Sequence, residues 1–225
     1  MKNKEVLSTL NEIRDMMQKS SKFLTLSGMS AVLVGVYACV AAVIACNILG
    51  NESGLALDFA DFPQLRVNMS WRLQLMEFSA AVLILLCIGT VYAFSYRKAK
   101  KQQKPLVFNI TVRRFLWSFF LPLIVGGILC LTLIYKQEYG QISDFMLIFY
   151  GIALVNASSY TYSNTRFLGY AELALGLTGG FIDGHALLLW MLGFGVFHIV
   201  YGVFIYLKYD RKPDVNRQGG NRITV

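Results

Sequence analysis

Six apolar blocks separated by polar segments run along the chain, at about residues 23–49, 71–96, 115–135, 143–160, 166–181 and 185–207. A helix needs about 20 apolar residues to cross a bilayer, within a range of about 17–25. The first two blocks are generous, the third and last fit, the fourth is adequate and the fifth is short. The fifth is therefore expected to be tilted, partly re-entrant or enclosed by protein. Blocks five and six are separated only by GGFIDG, which predicts an antiparallel hairpin. The pattern predicts an all-α polytopic integral membrane protein, with six transmembrane helices in a domain of residues 23–207.

Two polar segments flank this domain. In residues 1–22, Val6, Leu10, Ile13 and Met17 recur at spacings of 4, 3 and 4, which places them on one face of an amphipathic helix. That face lies on the inner leaflet, meets a partner helix, or simply extends the first span. Residues 208–225 are basic, with Gly and Pro, and predict a flexible tail.

Basic residues set the orientation. With the N-terminus cytoplasmic, only Arg66, Arg72 and Lys136 of the 21 basic residues fall in outer segments. The inner loop RKAKKQQKPLVFNITVRR alone carries seven, and attraction to anionic head groups comes with them. Both termini are then cytoplasmic. The acids Glu52, Asp58 and Asp61 suit an outer loop. Trp71, Tyr135 and Tyr139 mark the outer interface, and Tyr92, Tyr96, Trp117, Tyr160, Tyr206 and Tyr209 the inner one.

Composition agrees with this pattern. The chain is 56% hydrophobic and 15% charged, against about 25% charged in soluble domains. The net charge of +8 does not point to nucleic acid, because the basic residues sit at the ends of apolar blocks and form no basic, aromatic-interleaved face. Cys39, Cys46, Cys87 and Cys130 all lie inside apolar blocks and read as buried thiols. VIAC at 43–46 resembles a lipoprotein cleavage box, but 22 polar residues precede an apolar stretch too long for a signal peptide.

Two matching stretches hold the candidate chemistry: GYAELALG at 169–176 and GVFHIVYG at 195–202. On a helix, Gly169 and Gly176 flank Glu172 on one face, and Gly195 and Gly202 flank His198. Each ionisable side chain then sits in a bare patch that another helix can approach. By helix rise, Glu172 lies about 9 Å from Arg166 and His198 about 15 Å from Lys208, so the two depths differ by about one turn. A lone carboxylate at the bilayer centre costs about 2.5–3.5 kcal/mol on insertion scales. Glu172 and His198 are therefore expected to pair across the last hairpin, as a helix lock, a proton relay or a ligand contact.

Other features carry less. Ser27, Ala31, Gly35 and Cys39 form a small-residue stripe, suited to a helix contact within the chain or to a homo-oligomer. Pro122 is expected to kink the third span. Glu77, about five residues inside Trp71, is shallow enough to reach interfacial water. Asp183 and His185 in the outer turn supply two candidate ligands, too few for a metal site. The polar run from Asn156 through Ser158, Ser159 and YTYSNTR lines a vestibule or forms an interfacial loop. No cofactor is implied. His185 and His198 lie about 20 Å apart on one helix and cannot both ligate one haem.

Three functional classes fit. A rhomboid-type intramembrane protease shares six spans, the Trp71–Arg72 pair after the first outer loop and a His before a Gly in the last span. It lacks the GxSx nucleophile motif, and Ser158 and Ser159 lie at the wrong end. A transporter or pore subunit would rely on Glu172 and His198 alone, with no charged row and no paired broken helices. The third class is a non-enzymatic sensory, regulatory or scaffolding protein.

About a third of the chain resembles a group of small bacterial inner-membrane proteins of unassigned activity. The resemblance lies in EIRDMMQKSSKFLTLSGMSAVLVGVYA, in RFLGYAELALGL and in WMLGFGVFHIVYG. It implies a multi-pass protein of the bacterial inner membrane. Members of that group accompany small winged-helix regulators, which implies a sensor or regulator-tethering role with a cytosolic regulatory partner.

Overall fold

A computed structural model describes residues 27–49, 69–101, 110–136, 138–182 and 184–211. The described chain is helical throughout, without strands. The helices are α1 (Gly28–Leu49), α2 (Met69–Lys101), α3 (Ile110–Lys136), α4 (Ile142–Ala157), α5 (Thr165–Gly179) and α6 (Ala186–Asp210). A 3₁₀ turn, Tyr139–Gln141, leads into α4. Val6, Leu10, Ile13 and Met17, residues 50–68, Asp183 and residues 212–225 lie outside the described residues.

Five helices are long and apolar enough to cross a membrane, and they make this a multi-pass membrane protein: Gly28–Ile48, Gln74–Lys100, Ile110–Lys136, Tyr139–Ala157 and Ala186–Asp210. The expected fifth span, 166–181, is the exception. Its helix α5 has 15 residues, about 22 Å by helix rise, against a core of about 30 Å. Three helices also run past the blocks read from hydropathy. α2 reaches Lys101, α3 begins at Ile110, and α6 continues to Asp210. Their polar end turns keep helical backbone where apolar content has ceased. Pro122 lies buried inside α3, which continues on either side of it.

Glycine decides which helices meet. Two members of the stripe on α1, Gly35 and Cys39, meet α6 of the same chain. A Cβ on Gly35 would fall 2.7 Å from Gly195 O, and one on Gly202 would meet Val32 N at 2.6 Å. α1 and α6 therefore run antiparallel with their backbones close together, although they lie at opposite ends of the sequence. A second seam joins α4 and α5. A Cβ on Gly151 would lie 2.7 Å from Gly169 O, and one on Gly176 2.8 Å from Asp144 O. Lipid-embedded helices gain little from hydrophobicity against one another, so close backbone approach is what favours these pairs.

The frames around Glu172 and His198 thus each meet another helix, and not the same one. Gly169 and Gly176 seat α5 on α4, and Gly195 and Gly202 seat α6 on α1. The α5–α6 hairpin does form, turning at Gly184, whose φ of 79° is the left-handed region that glycine tolerates. It is joined chiefly through the outer part of α6.

Candidate functional site

Glu172 is fully buried and His198 is 4% exposed, in the interior where α4, α5 and α6 meet. Glu172 projects from α5 toward Gly193 of α6. A Cβ at Gly193 would collide with Glu172 Oε2, so the bare backbone there makes room for the carboxylate. Glu172 Oε1 lies 3.4 Å from His198 Nδ1. That is a close ionic contact but longer than an N–H···O hydrogen bond. Neither Glu172 oxygen has a hydrogen-bond partner among the described residues.

The imidazole is held on both sides. Nδ1 lies 3.1 Å from Gly193 O, and Nε2 lies 2.7 Å from Tyr150 Oη on α4. With the ring proton on Nδ1, that N–H donates to Gly193 O, and Tyr150 O–H donates to Nε2. Tyr150 is itself enclosed by rings, its centroid 4.9 Å from Phe194 and 6.2 Å from Phe119 of α3. The three side chains form one buried cluster drawn from three helices. It is neutral overall when Glu172 and His198 share one proton beyond the single ring N–H of a neutral imidazole, the form that costs least in a low-dielectric interior.

Local backbone geometry contributes as well. From Met191 to Phe197, immediately before His198, α6 is a π-helix. Wide turns of this kind are rare and recur at functional sites. This one carries Gly193, whose carbonyl reaches the His198 side chain five residues on.

A second polar cluster ties the start of α1 to the ends of α2 and α6. Asp210 Oδ2 accepts from Gly28 N at 2.8 Å and from Ser27 Oγ at 3.1 Å, capping α1 from the far end of α6. Asp210 Oδ1 lies 2.7 Å from Lys98 Nζ of α2, and Lys98 Nζ donates to Tyr162 Oη at 2.9 Å. Burial pushes the Tyr162 phenol up, more than Lys98 beside it pulls it down, so it stays protonated. Nearby, Tyr201 Oη and Thr165 Oγ1 are 2.7 Å apart, and Thr161 Oγ1 lies 3.5 Å from Thr165 Oγ1. Of the polar run between α4 and α5, then, Thr161, Tyr162 and Thr165 are buried, while Asn156 and Ser159 are exposed.

Sequence reading missed Tyr150, Gly193, Asp144 and this clamp. Tyr150 had one signal, a hydroxyl in the middle of the apolar run MLIFYGIALV. The clamp had none, since its members lie up to 183 residues apart. Asp144 is 7% exposed, with Oδ1 buried beside Gly179. Ser158 Oγ donates to Val155 O at 2.6 Å, a helix-end contact, and His198 Nε2 faces a tyrosine rather than a serine. Glu77 is exposed, and the Arg72 guanidinium lies 5.5 Å over the Trp71 ring. Among the described residues, no three His, Cys, Asp or Glu side chains come together as a metal site. No protein-family model, curated protein or solved structure matches the chain.

Proposed function

We propose that this is a non-enzymatic membrane protein with a sensory or regulatory role, whose responsive element is the Glu172–His198–Tyr150 cluster. One observation carries the reading. Glu172 is fully buried with neither oxygen hydrogen-bonded, against an imidazole that is itself held from two sides. An ionisable residue inside a membrane domain is expensive to retain and points to function. Adding or removing a proton here changes the charge of a site that, among the described residues, has no second carboxylate in contact to compensate. α4, α5 and α6 all bear directly on the cluster, so their packing is what such a change acts on.

In this reading, six helices cross the bacterial inner membrane with both termini cytoplasmic. The short α5 crosses under the cover of α4 and α6. The distribution of basic residues supports the orientation, and the exposed Trp71, Tyr135, Tyr92 and Trp117 are consistent with two aromatic belts. The partner face is Val6, Leu10, Ile13 and Met17, which meets a cytosolic regulatory protein or the leaflet. The tyrosine partner of His198 speaks against a serine-protease role.

Purification of the full chain in mild detergent, beside a variant with Val6, Leu10, Ile13 and Met17 changed to polar residues, tests the reading. The expected result is a defined cytosolic protein, identified by mass spectrometry and lost from the variant. Its binding should also change when Glu172→Gln fixes the cluster in a neutral state. Proton flux into liposomes that Glu172→Gln abolishes, with no such partner, would replace this reading with transport.

A further inference from the structure

The two sides of the Glu172–His198 pair are built differently. Toward the outer ends of the helices the surroundings are apolar: Leu147, fully buried, and the tilted rings of Phe194 and Trp190, with centroids 5.2 Å apart. In that direction Asp144 stands opposite Gly179, seven residues or about 10 Å along α5 from Glu172. Toward the inner ends, hydroxyls follow one another. Tyr201 stands one helical turn from His198 on α6, about 4.5 Å of rise. Its Oη contacts Thr165 Oγ1 at 2.7 Å, and Thr165 contacts Thr161 at 3.5 Å. Tyr162, next in the chain, joins Lys98 and Asp210, whose side chains are 16% and 12% exposed. Thr165 lies seven residues from Glu172, on the same face of α5.

We propose that the Glu172–His198 pair exchanges its proton with the Asp210 end of the bundle alone, through Tyr201, Thr165 and Thr161. The proposal rests on the cluster being the responsive element and adds which side it reports. Each hydroxyl takes a proton on a lone pair and releases its own. A proton entering at the part-exposed Asp210 end and passed on through the buried Thr161 thus leaves as a proton on the Glu172 carboxylate, and nothing is oxidised or reduced. The step from Tyr201 to the pair spans one turn, which one bridging water covers. The groups that face the pair are Tyr150 and, more distantly, Asp144 on α4, Tyr201 on α6, Cys87 of α2 near Tyr150, and Cys39 of α1 against Gly195. Lys98, Tyr162 and Asp210 lie at the inner end.

The test uses the full chain in liposomes of known orientation, with the pH of bath and lumen set separately. The Glu172 carboxyl band in infrared difference spectra is assigned by its loss in Glu172→Gln. The band is expected to follow the pH on the Asp210 side. Its response should slow by roughly tenfold or more in Thr165→Val and Tyr201→Phe. Thr165→Ser, which keeps the hydroxyl, should restore the rate, and Asp144→Asn should leave it within about twofold. A band that follows the opposite side, that never appears, or that slows in Asp144→Asn but not in Thr165→Val overturns the proposal. A one-sided band whose proton has no effect on partner binding would leave the pathway standing and sink the sensory reading.

Discussion

In α2, the 27-residue stretch Gln74–Lys100 is apolar enough to cross a membrane, yet only 6% of its most apolar window is buried in the protein. α5 has 15 residues and buries Thr165, Leu168, Gly169, Glu172, Gly176 and Gly179. The longer, greasier helix faces outward, and the shorter, more polar one is enclosed. Glycine accounts for the difference. Among the described residues, a Cβ on Gly89 of α2 would meet nothing within 4 Å, whereas Gly169 and Gly176 of α5 press on the backbone of α4. In a bilayer, apolar surface suffices for crossing but not for association, which depends on close packing and polar contacts. The buried carboxylate therefore resides on a helix too short to count among the five apolar spans.

The comparison breaks most visibly at the glycine seam. Gly151→Leu forces a side chain onto Gly169 O and should cost about 3 kcal/mol, the upper end for overpacking. It should be read as lost monodispersity and early thermal unfolding in detergent. Gly89→Leu on α2 should unfold within about 0.5 kcal/mol of wild type. Next in size is His198→Ala, which strands Tyr150 Oη and removes the side-chain contact to Gly193 O. A cost of about 2–3 kcal/mol is expected from unpaired buried groups and the cavity left behind. Asp210→Asn weakens the α1 cap and the Lys98 pair. Because both side chains keep some solvent, about 1 kcal/mol is expected in the same melts. The smallest effect belongs to the outward face of α2. Phe78→Ala and Leu85→Ala, at positions 68% and 69% exposed, should shift unfolding by under about 0.5 kcal/mol. A larger shift there would show that α2 is covered by a second chain.

Much of the helical order was legible because continuous apolar length is a local property. The approach of Glu172 to His198 was legible too, from depth and adjacency across a short turn. The partners of the flanking glycines were not. A glycine frame announces a close neighbour without naming it, and here the neighbours are α4 for Gly169 and Gly176 and α1 for Gly195 and Gly202. The π-turn before His198 was hidden because it depends on one residue's worth of register. The Asp210 cap on α1 was hidden because it joins opposite ends of the chain.

The central claim is that Glu172 and His198 act as one enclosed unit, and a double-mutant cycle tests it most directly. Unfolding free energies would be measured in one detergent for wild type, Glu172→Gln, His198→Gln and the double variant. The account predicts a coupling of about 1 kcal/mol or more, within the range for buried polar groups in contact. Additivity within about 0.3 kcal/mol would mean that the two side chains are neighbours without being partners, and would contradict it.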